Sequence, residues 1–155
     1  MSDQNLKDSL EFFVAQFRGR KCQAVELLDD LWCFRFGEET PFLQVSCPWR
    51  IRDRNCVKIG SDDHRPKFAS PAPLDARAEA FSLCAQRVVT NVSIGPIIAD
   101  VTVEFEDGLW LDIINGSASY EDWSGRASSN TRVVYLVAMA GGEIAVWDDF
   151  IVSTT

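Results

Sequence analysis

The only histidine, His64, lies in Ser61-Asp62-Asp63-His64-Arg65. Imidazole ordinarily titrates nearer neutrality than other side chains, and a neighbouring carboxylate can orient it as a general base. The same pattern suits a polar loop residue. The five cysteines, Cys22, Cys33, Cys47, Cys56 and Cys84, have no C-x-x-C spacing, and zinc would want Cys and His clustered. A cysteine nucleophile needs a base close by and gains from a helix start. None of the five begins a predicted helix, so they read as small buried hydrophobes. Glu121, Asp122, Asp148 and Asp149 carry oxygens suited to Ca²⁺ or Mg²⁺, but no EF-hand spacing surrounds them, and solvated carboxylates are expected. There is no G-x-S-x-G, no phosphate-cradling glycine loop and no H-E-x-x-H. The residues point to no reaction, no metal and no cofactor, and the expectation is a non-enzyme.

Charge is more informative. The 155 residues carry 15 Lys and Arg against 23 Asp and Glu, a formal charge of -8. Residues 1–90 balance, whereas residues 91–155 hold only Arg126 and Arg132 as cations. Nucleic-acid binding depends on Lys and Arg displacing counterions, so on charge grounds no nucleic-acid partner is expected and a basic protein is. Arg50, Arg52 and Arg54 share one side of a strand-like run, where they could grip phosphate or pair with this chain's own acids.

The elements that must position these residues follow from periodicity. Leu6, Leu10, Phe13, Val14 and Phe17 make one helical face, with Ser2 or Asp3 to cap it and Gly19 to end it. That defines an N-terminal helix over 1–19. Residues 20–59 read as a first β-meander, with strands at 22–28, 31–37, 42–47 and 49–59. Residues 60–73 (GSDDHRPKFASPAP) read as a loop and 74–87 as a middle helix, with Leu74, Ala78, Phe81 and Ala85 inward. Residues 88–152 read as a second meander. In it, a loop of Glu106, Asp107 and Gly108 pairs Phe105 with Leu109, Val103 with Leu111 and Val101 with Ile113, which keeps one face apolar. Trp110 then points the other way, opposite Glu104. Residues 115–130 read as a polar connection, and 132–139 and 143–152 as strands apolar on both faces, so that one face is covered or meets a partner. Phe34 to Val45 followed by Trp49 faintly echoes Val103 to Ile113 followed by Trp123. The expected fold is one α+β domain over 1–155: seven to nine mainly antiparallel strands in two related meanders, with an N-terminal and a middle helix. No apolar run is long enough for a membrane helix and no secretory leader is visible, so a cytoplasmic protein is expected.

Phe105-Glu106-Asp107-Gly108-Leu109-Trp110-Leu111, then Ser119-Tyr120-Glu121-Asp122-Trp123, then Gly141-Gly142-Glu143-Ile144-Ala145-Val146-Trp147 resembles a small bacterial domain family of unknown function. The N-terminal counterpart is Gly19-Arg20 before a meander that ends in Pro48-Trp49-Arg50. Proteins of this build are similar to immunity proteins of polymorphic toxin systems. The resemblance implies direct binding of a toxin and brings no catalytic residues.

These readings give one leading expectation and three rivals. The leading one is an acidic protein that binds a basic partner. Negative potential would be concentrated on the later strands, with Glu104, Glu106, Asp112, Glu121 and Asp122 steering and Trp110 or Trp123 as anchor. The first rival is a small-molecule site between sheet and middle helix, with 60–73 as lid. The second is a homodimer through the apolar edge at 132–152. The third is a hydrolase using His64.

Overall fold

The computed structural model describes residues 1–64 and 74–152. Helix α1 spans Asp3–Ala15; Ser2 caps it, its side chain accepting from the Asn5 N–H. Strands β1 (Ala24–Leu28), β2 (Leu31–Arg35), β3 (Phe42–Val45), β4 (Trp49–Arg52) and β5 (Val57–Gly60) follow, then a 3-10 turn over Ser61–Asp63. Helix α2 (Ala76–Cys84) precedes β6 (Val89–Ile94), β7 (Val101–Phe105), β8 (Leu109–Ile113), β9 (Trp123–Ser128), β10 (Arg132–Ala138) and β11 (Ile144–Phe150). One sheet runs β1-β2-β3-β9-β10-β11 and the other β5-β4-β8-β7-β6; the pairings are antiparallel throughout. This is the α+β architecture expected.

The sheets pack face to face. Trp32 and Phe34 of β2 meet Trp49 of β4 edge-on at 4.9 and 5.2 Å, and Phe36 stacks on Phe105 at 6.3 Å. Aromatic pairs at such distances prefer these arrangements. Each half of the chain crosses from one sheet to the other: β1–β3 lead into β4–β5, and β6–β8 lead into β9–β11. The two halves thus interleave, and neither meander forms a sheet of its own. Trp49 and Trp123 occupy matching places, each opening the first strand after a crossing and each buried.

The helices close the two open sides. Alpha helix α1 packs against β6 on one sheet and β9, β10 and β11 on the other. Phe13 and Phe17 are fully buried there, with rings 5.2 Å apart. Burying each contributes about 1.5–3 kcal/mol. Helix α2 bridges β1 and β5. Its buried side is Ala76, Ala80 and Cys84, not the Leu74, Ala78, Phe81, Ala85 side expected from size. Small residues at i, i+4 and i+8 let the helix backbone approach two strand edges, and the larger Leu74 and Phe81 stay at the rim.

Two other expectations are corrected, and a third lies mostly outside the described residues. The run 49–59 is two strands, because the Asp53 carboxylate accepts the Asn55 and Cys56 N–H groups and turns the chain. The polar connection 115–130 contains β9, a central strand, and with the divided 49–59 run this gives eleven strands among the described residues in place of the expected seven to nine. Most of the expected 60–73 loop, from 65 on, lies outside the described residues. The β7–β8 register is as expected: Phe105 faces Leu109, Val103 faces Leu111, Val101 faces Ile113, and Glu104 faces Trp110.

Candidate binding end of the sandwich

The carboxylates of the later strands do not form one face. Glu104 and Trp110 are half-buried on the outer side of the five-stranded sheet, where the Arg52 guanidinium sits 4.8 Å over the Trp110 ring. Asp112, beside them, accepts from Arg50 at 2.9 Å and Arg52 at 2.7 Å. Burial pushes its carboxyl up, yet hydrogen bonds from Arg52 and Arg50 outweigh this and hold it below the usual carboxylate range. The arginines of β4 therefore pair with the chain's own acid. Glu106 lies at the far end of that sheet and accepts the Val88 N–H. Asp148 is bound by Arg132 at 2.6 Å, and Asp149 lies on the outer side of the other sheet. So Glu104, Glu106, Trp110 and Asp112 are separated from Glu121, Asp122 and Trp123.

The latter three stand at the end of the sandwich where β1 and β3 finish and β4 and β9 begin. Trp123 is only 2% exposed and its indole N–H donates to the Ala99 carbonyl at 2.7 Å. It is core and unavailable as an anchor. Asp122 is buried too; its carboxylate accepts the Gly116 N–H at 2.6 Å and the Ser117 N–H at 2.9 Å. Its own carbonyl accepts from Ser46 and Cys47. Asp122 is therefore the clasp that binds the 114–122 loop to the 46–48 loop. Glu121 remains exposed.

Other bonds draw the remaining loops to the same end. Ile114 N–H donates to Pro48, Gly141 N–H to Ser117, Asn115 N–H to the Asp100 carboxylate, and Trp49 N–H to the Ser61 hydroxyl. The loops 29–30, 46–48, 61–64, 95–100, 114–122 and 139–143 contain no Lys or Arg. They do contain exposed acids: Asp29 and Asp30 in the first, Asp62 and Asp63 in the third, then Asp100, Glu121 and Glu143. Among the described residues no cation pairs with any of these. Exposed apolar side chains stand among them, notably Ile97 at 82% and Tyr120 at 76%, with Leu28 and Ile98. Charge counting along the chain missed this cluster because the fold gathers it from both halves; the signal was the run of acidic turns with no cation.

A cavity of about 610 Å³ opens at this end, lined by Asp29, Asp30, Trp32, Pro48, Asp62 and His64 among others. His64 stands with its Nδ1 3.9 Å from the Asp75 carboxylate. Its Nδ1 accepts the Ala76 N–H at 3.1 Å, and its ring meets Trp32 edge-on at 5.4 Å, so it latches the start of α2 to the sandwich. Four of the cysteines are buried as expected, and burial pushes Cys22 and Cys47 up to about 12 and raises Cys33 and Cys84, so these four offer no activated thiol; Cys56 is exposed, against the expectation, because it sits in the turn that Asp53 closes between β4 and β5. Among the described residues no cluster of three metal-ligating side chains forms, and no helix is long and apolar enough to cross a membrane. The groove between β1 and α2, where a small-molecule site was expected, is about 260 Å³ and lined by Gln23, Val25, Arg77 and Phe81. No family model, curated protein or solved structure matches the chain.

Proposed function

We propose that this chain is a non-catalytic binding protein that captures a basic protein partner with its acidic end, in the manner of an immunity protein neutralising a bacterial toxin. One observation carries the reading: seven exposed carboxylates, Asp29, Asp30, Asp62, Asp63, Asp100, Glu121 and Glu143, share one end with exposed apolar side chains and no cation among the described residues. Unpaired like charges raise the negative potential and steer a cationic surface. Ile97, Tyr120 and Leu28 supply the apolar contact area that holds it, and the cavity beside Trp32 accepts a cationic side chain from the partner. The docking surface is thus moved from the later strands to the loops, with Glu121 the one expected residue retained.

The test is association with the product of the adjacent open reading frame, followed by stopped flow at rising salt. The on-rate should fall steeply with ionic strength, and changing Asp29, Asp30 and Asp62 together to Asn should lower it about tenfold at low salt. Salt-independent association, or none, overturns the reading. The cavity also favours a second reading, a small cationic ligand seated against Trp32. Thermal stabilisation by an organic amine, abolished by Trp32→Leu, would favour it.

A further inference from the structure

Four strands stand at sheet edges, and three of them are blunted. Strands β1 and β5 flank α2, and β5 bears Lys58 and a register shift against β4. Strand β6 is bulged between Val89 and Asn91. Strand β11 differs. It pairs with β10 over seven residues without a shift and contains no Lys, Pro or Gly. Such devices are what keep edges from pairing with other chains.

The hydrogen-bond alternation shows which groups β11 leaves free. The Met139 N–H donates to the Glu143 carbonyl, and the Ile151 N–H donates to the Thr131 carbonyl. With the register between them, residues 145, 147 and 149 turn their backbone groups to β10. Residues 144, 146, 148 and 150 turn theirs outward, and no described residue bonds to them. Trp147 is 54% and Phe150 69% exposed on this strand.

We propose that β11 pairs antiparallel with β11 of a second copy, about a twofold axis at Trp147. The outward backbone groups of 144, 146, 148 and 150 are complementary to themselves about Trp147, which points to a second copy, and charge selects the register. Centring on Trp147 sets Asp148 against Val146 and Asp149 against Ala145 of the second copy, and Ile144 against Phe150. The outward groups of 144, 146, 148 and 150 then meet one another as hydrogen-bonded pairs. Centring on Asp148 or Asp149 would put like acids face to face, and centring on Val146 would oppose Asp149 to Glu143. Like charges directly opposite are destabilising. Asp148 is already neutralised by Arg132 at 2.6 Å, so its presence on the edge does not repel the second strand. The product is a continuous twelve-stranded sheet in which Trp147 meets its copy across the axis, with Tyr135 behind it at 5.7 Å on β10. An interface confined to one strand edge would fall near or below the lower limit of about 1,000 Å² for a specific contact, so dissociation in the micromolar range is expected. This pairing does not rest on the partner reading above.

Sedimentation velocity of the full chain across the micromolar range should show a monomer–dimer equilibrium. Ala145→Lys and Trp147→Lys, each checked for a native circular dichroism spectrum, should shift it to monomer, and Trp110→Lys should leave it alone. With Cys56 changed to Ser, Trp147→Cys should form a disulfide-linked dimer on mild oxidation, since non-hydrogen-bonded partners lie closest. A chain monomeric throughout, or a dimer untouched by both lysines, overturns the proposal. So does a dimer that Trp147→Cys does not cross-link.

Discussion

Gly125 sits in the middle of β9 with Leu43 on one side and Leu136 on the other. A Cβ there would lie 2.6 Å from the tip of the Phe13 ring, 3.0 Å from Leu43 Cδ2 and 3.1 Å from the Phe42 carbonyl oxygen. Carbon atoms pack at about 3.5–4.0 Å, so Gly125→Ala must push the ring back by roughly 1 Å. Phe13 is fully buried, packed against Phe17 at 5.2 Å. Overpacking of this kind costs about 1–3 kcal/mol, offset by about 0.5–1 kcal/mol from removing a strand glycine. At about 2–4 °C per kcal/mol for a chain of this size, the melting temperature should fall by up to about 10 °C. The diagnostic is the double variant. Phe13→Leu shortens the side chain where the ring tip met the new methyl, so Gly125→Ala should cost at least about 1 kcal/mol less in that background. Urea unfolding with an unchanged slope would measure each term. If the two changes simply add, or if Gly125→Ala stabilises the chain, α1 does not wedge against β9 as described.

Other outcomes follow from the same contacts. Asp148 is held below the usual carboxylate range by hydrogen bonds from Arg132 and Ser9, and Asp112 by Arg52 and Arg50 against the effect of burial. Their stabilisation is present above the ordinary carboxylate value, near pH 4, and is lost as pH falls through the lowered folded values. Urea midpoints should therefore drop below about pH 4, and Asp148→Asn should flatten that drop while lowering the plateau at neutral pH. Asp122→Ala leaves the Gly116 and Ser117 N–H groups without their acceptor and should cost about 1–3 kcal/mol, with faster amide exchange across 114–122. His64→Ala should cost about 1 kcal/mol and speed exchange of the Ala76 amide, because the imidazole acceptor at the start of α2 is gone.

The amino-acid pattern revealed most where side-chain size and alternation agree. Val101, Val103 and Phe105 against Leu109, Leu111 and Ile113 admit one register that keeps a face apolar, and that register is present. The α1 face from Leu6 to Phe17 was equally legible. Strand β9 was not, since Ser124-Gly125-Arg126-Ala127-Ser128 lacks the β-branched residues of a central strand. Its small side chains are there to make room for Phe13 and Leu43, a reason visible only in three dimensions. Helix α2 hid its buried side likewise, behind Ala76, Ala80 and Cys84. The candidate site was half legible. The excess of acid was plain, but which acids stay unpaired depended on Arg50, Arg52 and Arg132 reaching Asp112 and Asp148 across strands. Trp123 resembled an anchor because its polar neighbours say nothing of the Ala99 carbonyl that takes its N–H.

The first helix and the last strand hold one another. Ser9 donates to Asp148 at 2.6 Å, and Met1, Asn5 and Phe150 line one crevice. During synthesis α1 precedes every strand, and three of the four strands it packs on, β9, β10 and β11, come last. Phe17 can meet Phe36 early, but the β9 surface under Phe13 is absent until most of the chain has been made.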